Sequence, residues 1–201
     1  MQIIIRATDH QYPILANKLI NGNNSIVRYE STNEAIPFGD IYIDACFEEE
    51  GPCFSTVQNR IVLVNGVCTP SEVLPKNFVR FNGWDGFLSQ PSLEIAGNEE
   101  AVIKARELLT AVGITTIVSA DELGMIGPRV VSMIINEAYF ALAENVSTKE
   151  EINTAMKLGT NYPYGPFEWC ELIGFKRVST LLQSLAKTNE RYSLAPAFQN
   201  N

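Results

Sequence analysis

The sequence predicts an α/β domain on a parallel sheet followed by an all-helical domain. Two observations carry that expectation. Short β-rich runs alternate with helical or loop segments up to about Asp121, the rhythm of βαβ units. Beyond it the strands stop, and the last 80 residues read as capped helices joined by Gly and Pro punctuation. The domains are therefore expected at 1–121 and 122–201, and 201 residues at 46% hydrophobic content suffice for ordinary buried cores.

The β-rich runs are Ile3 to Ile5, Ser25 to Tyr29, Ile41 to Ala45, Arg60 to Val64 and Ile114 to Val118. A helix-like run follows the first. A clearer helix follows Asn98, a good N-cap, with Glu99 and Glu100 in its first turn, Val102, Ala105, Leu108 and Leu109 on one face, and Gly113 as its stop. In the second half, Val131, Ile134, Ile135, Ala138 and Leu142 form one stripe. Val130, Met133 and Phe140 fill most of the other side, so this helix is expected to be buried nearly all round. Ser147 and Glu150 read as a capping box opening a helix that ends at Gly159. Pro166 suits the first turn of the next, which Gly174 ends, and a last helix spans Phe175 to Ala186. The polar tail after Leu194 is expected to fray.

A formal charge of −8 without a Lys/Arg cluster argues against nucleic acid as a partner. No apolar run reaches membrane-span length, and the N-terminus lacks a signal-peptide pattern, so a soluble, cytoplasmic protein is expected. Cys46, Cys53, Cys68 and Cys170 lack paired metal-site spacing and read as reduced thiols.

INEAYFALAENVSTKEEINTAMKLGTNYPYGPFEWCELIGF (135–175) resembles the C-terminal helical domain of the 3-hydroxyacyl-CoA dehydrogenase family. Asn136–Ala138 (NEA), Ala155–Gly159 (AMKLG) and Tyr162–Glu168 (YPYGPFE) match that family's pattern in order and spacing. Upstream, DIYIDACFE (40–48) is similar to the family strand before its acidic loop, IVLVNGV (61–67) to the strand entering its S-N-T-S segment, and RFNGWDGF (80–87) to its G-x-H-F-F-N-P segment. The resemblance implies a shortened Rossmann-like domain before the helical one. It also implies a homodimer through the helices, acyl-CoA as substrate, NAD as cofactor, and conversion of 3-hydroxyacyl-CoA to 3-oxoacyl-CoA in fatty-acid metabolism.

Carried over residue by residue, the family's catalytic groups are largely replaced. The base histidine falls on Asp85; Glu94 fits the glutamate that orients it, and these two carboxylates are the candidate acid/base pair. Arg129 matches the arginine of G-F-x-x-N-R, while Pro128 stands at its asparagine. Asn65 is retained from S-N-T-S, with Gly66, Val67 and Cys68 replacing the rest; Asn65 and Arg129 are the candidate substrate-binding residues. At the opening turn, Arg6, Ala7, Thr8, Asp9 and His10 stand where a dinucleotide site carries G-x-G-x-x-G, and Asp9 adds negative charge where pyrophosphate would lie. Glu30 is the one acid suited in type to a ribose. This turn is expected not to hold NAD in the family manner, so no cofactor-binding residue is assigned. His10, the sole histidine, reads as a capping or surface residue, and Trp84 and Trp169 as core. Two functions follow: a dehydrogenase of this family with impaired motifs, or a pseudoenzyme, a non-catalytic dimeric module binding acyl-CoA or a protein.

Overall fold

The computed structural model describes residues 1–30 and 35–199. It divides into two compact units, Met1–Met125 and Ile126–Asn201. Residues 122–125 go with the first because the buried Arg80 guanidinium holds Asp121 (2.5 Å) and the Glu122 carbonyl (3.1 Å), and Gly124 N–H donates to the Val67 carbonyl.

The first unit is a seven-stranded sheet in the order β2-β1-β3-β4-β5-β6-β7. The strands are β1 (Gln2–Arg6), β2 (Ser25–Arg28), β3 (Ile41–Asp44), β4 (Ile61–Asn65), β5 (Phe78–Phe81), β6 (Ser92–Gly97) and β7 (Thr115–Val118). The first five are parallel; β6 runs against β5, and β7 runs parallel to β6. The five expected strands are present. β5 and β6 were not expected, because FVRF and SLEIAG each carry a polar residue that interrupts an apolar run. Alternation along the strands sends Ile3, Ile5, Ile41, Ile43, Ile61 and Leu63 to a core under α1 (Gln11–Leu19) and α3 (Glu99–Ala111), and Ile4, Tyr42, Val62 and Val64 to a second core with Tyr29 and Phe54. Connections are abbreviated. β3 reaches β4 through the single-turn helix α2 (Phe47–Glu50), and β4 reaches β5 through one 3₁₀ turn, Ser71–Val73. Asn98 accepts from the Ala101 N–H and so caps α3; Gly113 ends the helix at φ 84°.

The second unit contains α4 (Gly127–Ala143), α5 (Lys149–Thr160), α6 (Pro166–Ile173), α7 (Phe175–Ala186) and the short α8 (Pro196–Gln199). Three expectations shift here. The capping box sits one residue later, on Thr148 and Glu151, with the Ser147 hydroxyl also donating to Glu151. α5 runs past Gly159 and stops at Asn161, which takes the left-handed conformation at φ 56°. The tail does not fray through Phe198, whose ring stacks on Phe175 (4.3 Å) and meets Tyr139 edge-on (4.5 Å). α4 is covered on its Ile135, Ala138 and Tyr139 side, whereas Val130 is 49% exposed.

The motifs behind the resemblance have local work to do. Asn136 donates to the Ser193 carbonyl (2.8 Å) and accepts from the Ala195 N–H (2.9 Å), fixing the tail on α4. Lys157 of AMKLG pairs with Glu168 of YPYGPFE at 2.6 Å, and that carboxylate also accepts from the Gly165 N–H. A Cβ on Gly165 would lie 2.4 Å from Asn153 Oδ1, the atom that accepts from the Phe167 N–H, so only glycine lets the α5–α6 corner close.

Candidate functional site

In open parallel sheets, ligands lie outside the carboxyl ends of the strands where strand order reverses. Here that is between β1 and β3, which end in Arg6 and Asp44. Arg6 is 7% exposed and its guanidinium spans the gap. One nitrogen donates to both Asp44 oxygens (3.3 and 3.1 Å) and the Gly51 carbonyl (2.8 Å), and the other donates to Glu50 (2.7 Å). Asp44 also accepts from the Cys46 and Cys53 N–H groups, each at 3.2 Å. Burial pushes its carboxyl up to about 6 against the opposing pull of Arg6 and these bonds.

The start of α1, the helix that would offer N–H groups to a pyrophosphate, is closed by its own side chains. The Thr8 hydroxyl accepts from the Gln11 N–H (3.2 Å), and Gln11 Oε1 accepts from the Thr8 N–H (3.4 Å). The charge of Asp9 is taken by Arg28 (2.6 Å), which also holds Glu30 (3.1 Å) and lies over the Tyr12 ring. Glu30, the candidate ribose ligand, is thus tied to the arginine that ends its own strand, β2. These residues do not fit NAD: a guanidinium fills the crevice, and the helix N–H groups that Thr8 reaches are already bonded.

Of the candidate substrate and catalytic residues, Asn65, Asp85 and Glu94 belong to the sheet unit. Asn65 is fully buried: its amide donates to the Ala45 carbonyl (3.2 Å), and its oxygen accepts from the Gly83 N–H (3.1 Å). Gln11 donates to the Gly83 carbonyl (3.3 Å), so α1 and the ends of β3, β4 and β5 are laced together. Glu94 accepts a long bond from Asn82 (3.5 Å). Asp85 instead meets His10, with Nε2 to Oδ1 at 3.7 Å; the imidazole is 69% exposed and does not cap α1. The His10–Asp85 juxtaposition was not visible in the sequence, because 75 positions separate the two and only the β1 and β5 ends bring them together. Arg129 lies in the first turn of α4, with Pro128 beside it, in the second unit. Trp84 and Trp169 are buried. Glu48, also missed, accepts from the Cys68 N–H (2.6 Å) and the Thr69 hydroxyl (2.9 Å), and burial pushes its carboxyl up to about 7. Among the described residues no cluster of His, Cys, Asp and Glu has the makings of a metal site, and no helix is long and apolar enough to cross a membrane.

Residues 124–200 match the family model of the 3-hydroxyacyl-CoA dehydrogenase C-terminal domain. A 3-hydroxyadipyl-CoA dehydrogenase of Escherichia coli (strain K12) is 45% identical over 87 residues, 43% of this chain and 18% of that protein. A 3-hydroxybutyryl-CoA dehydrogenase of Bradyrhizobium diazoefficiens is 34% identical over 91 residues, 45% of this chain and 31% of that protein. The chain thus matches at most about a third of the length of these relatives. Among solved structures, the (S)-3-hydroxybutyryl-CoA dehydrogenase of Ralstonia eutropha shares the fold over 98% of this chain and 92% of that one, with a TM-score of 0.72 at 16% identity. The 3-hydroxybutyryl-CoA dehydrogenase of E. coli K12 is 32% identical with a TM-score of 0.57, over 69% of this chain, more than the helical unit alone provides, and 30% of that one. The helical unit thus matches the C-terminal domain of the 3-hydroxyacyl-CoA dehydrogenase family.

Proposed function

We propose that the chain is a 3-hydroxyacyl-CoA dehydrogenase-like protein whose helical unit binds acyl-CoA and forms a homodimer, while its first unit does not hold NAD and so carries out no oxidation of its own. The family reaction, 3-hydroxyacyl-CoA to 3-oxoacyl-CoA, sets the substrate class. The single observation that carries the reading is Arg6, buried across the β1–β3 crevice and locked to Asp44 and Glu50. Exposed apolar side chains on the helical unit, Val130, Val146 and Leu158 among them, support the dimer. The cytoplasm is the proposed compartment, in keeping with four unbridged thiols.

A second reading, residual catalysis, is favoured by one contact. His10 and Asp85 form an imidazole–carboxylate pair, the residue types of an acid/base dyad, at the catalytic edge of the sheet. Thermal midpoints measured with acetoacetyl-CoA and, separately, with NADH test the first reading: a shift with the thioester alone is expected, and a shift with NADH overturns it. An acetoacetyl-CoA reduction assay with NADH tests the second. It survives only if a rate is measurable in the wild type and is lost in His10→Ala and Asp85→Ala; the Glu94→Ala variant checks the original carboxylate pair.

A further inference from the structure

The opposite edge of the same sheet holds a second concavity. A recess of about 640 Å³, within the usual range for small-molecule sites, opens at the amino ends of β4 and β5 beside the start of α3. Three segments each bring a cation to it: Arg60 before β4, Lys76 before β5, and Lys104 on α3. That is three of the chain's 15 Lys and Arg residues, in a protein of net charge −8. Glu100 is the acid in the lining of the recess, and Asp40 and Glu107 line an adjoining recess with Arg60 and Lys104. Glu100 is paired with Lys104 at 2.7 Å, with Lys76 acting on it from farther off. Arg60 and Lys76 form no ion pair among the described residues; the Arg60 guanidinium rests on the exposed Phe38 ring, 5.4 Å from its centroid.

The frame is fixed. The Asn77 amide donates to the Val57 carbonyl (3.1 Å) and the Arg60 carbonyl (2.8 Å), and the Val62 N–H donates to the Asn77 carbonyl, so the loops carrying Arg60 and Lys76 are bolted together. Asn59, beside Arg60, holds the left-handed conformation at φ 60°. The remaining wall is mostly carboxamide, from Gln58, Asn59 and Asn98. Such a wall offers hydrogen bonds to a polar ligand and little to an acyl chain. A fork-shaped guanidinium beside an ammonium suits phosphate oxygens.

We propose that this recess binds a nucleotide-sized phosphorylated small molecule, its phosphates held by Arg60 and Lys76 and its polar remainder by the carboxamides. The inference is independent of the function proposed above, since it concerns the other ends of the strands. ADP and inorganic pyrophosphate are the probes, titrated into ¹⁵N-labelled protein, with citrate as a non-phosphate anion. Both phosphates are expected to bind saturably, ADP more tightly, shifting amides at 58–61, 76, 77 and 101 but not those of Ala7, Asn65 and Gly83. The Arg60→Ala/Lys76→Ala double variant changes exposed side chains and is expected to keep its thermal midpoint while losing affinity by about tenfold or more. Arg106→Ala, on the exposed side of α3, is expected to bind as the wild type does. Equal affinity in the double variant, citrate binding as tightly as pyrophosphate, shifts confined to the carboxyl ends, or no saturation by either phosphate each overturns the proposal.

Discussion

Gly83→Ala is the most informative single change at the carboxyl edge of the sheet. A Cβ built there lies 2.7 Å from Asn65 Cγ and 2.9 Å from its Cβ and Oδ1, and all of these atoms are buried. Overpacking of this kind costs about 1–3 kcal/mol. Moving Asn65 aside also breaks its bonds to the Ala45 carbonyl and the Gly83 N–H, and each buried polar group left unmet costs roughly 1–3 kcal/mol. The variant is therefore expected to lose about 4 kcal/mol. Asn65→Ala removes the carboxamide, not the backbone groups it serves, and is expected to lose about 3 kcal/mol. In the double variant the collisions with Cγ and Oδ1 are gone, the 2.9 Å approach of the two Cβ atoms remains, and the same bonds are lost once. It should cost about 1–2 kcal/mol more than Asn65→Ala alone, a coupling of about 2–3 kcal/mol. Urea unfolding followed through the buried Trp84 indole, adjacent to the substitution, reads the first unit. Additive losses, or an Asn65→Ala variant as stable as the wild type, would refute the view that Asn65 is committed to holding strand ends together.

Glu48 and Asp44 both bind protons more tightly folded than unfolded, with carboxyls at about 7 and about 6, so unfolding releases protons between about pH 4 and 7 and stability falls as pH rises through that window. Glu48 accounts for up to about 3 kcal/mol of the fall, and denaturation midpoints for Glu48→Gln should lose the portion between pH 6 and 7; an unchanged profile contradicts this. NADH at a hundredfold excess over an intact site's dissociation constant would add about 2.7 kcal/mol and raise the midpoint by roughly 5–10 °C; a shift below about 1 °C is expected at millimolar NADH. Leu158→Glu, at a side chain 83% exposed, should change stability by less than about 0.5 kcal/mol yet convert a dimer to a monomer in light scattering. A variant that stays dimeric removes Leu158 from the proposed interface.

Helix ends were the most legible part of the sequence, because a cap is a local bond. Asn98, Gly113, Pro166 and Gly174 act at their expected positions. Where two adjacent residues share the chemistry, as Ser147 and Thr148 do, the sequence leaves the register open by one. β5 was hidden because its Arg80 looks like a surface residue. Its burial is stabilised by Ser71, Thr69, Gly66, Asp121 and Glu122, partners from three segments that no local pattern reveals. The candidate site shows the same division. The missing glycines at the opening turn could be read directly, but the partners of Arg6 depend on β1 and β3 lying side by side, and the meeting of His10 with Asp85 depends on the turns that leave β1 and β5, with β3 and β4 between them.

On the proposed reading, the Arg6–Asp44 pair also makes an open dinucleotide crevice hard to restore. Replacing Arg6 by glycine strands a carboxylate that is 1% exposed, and replacing Asp44 alone leaves a guanidinium half-deserted in the same place; removing either partner of such a pair costs about 3–5 kcal/mol. Each single substitution toward an open crevice therefore starts with a loss of about 3–5 kcal/mol of stability. The two residues act as a ratchet against reopening the crevice.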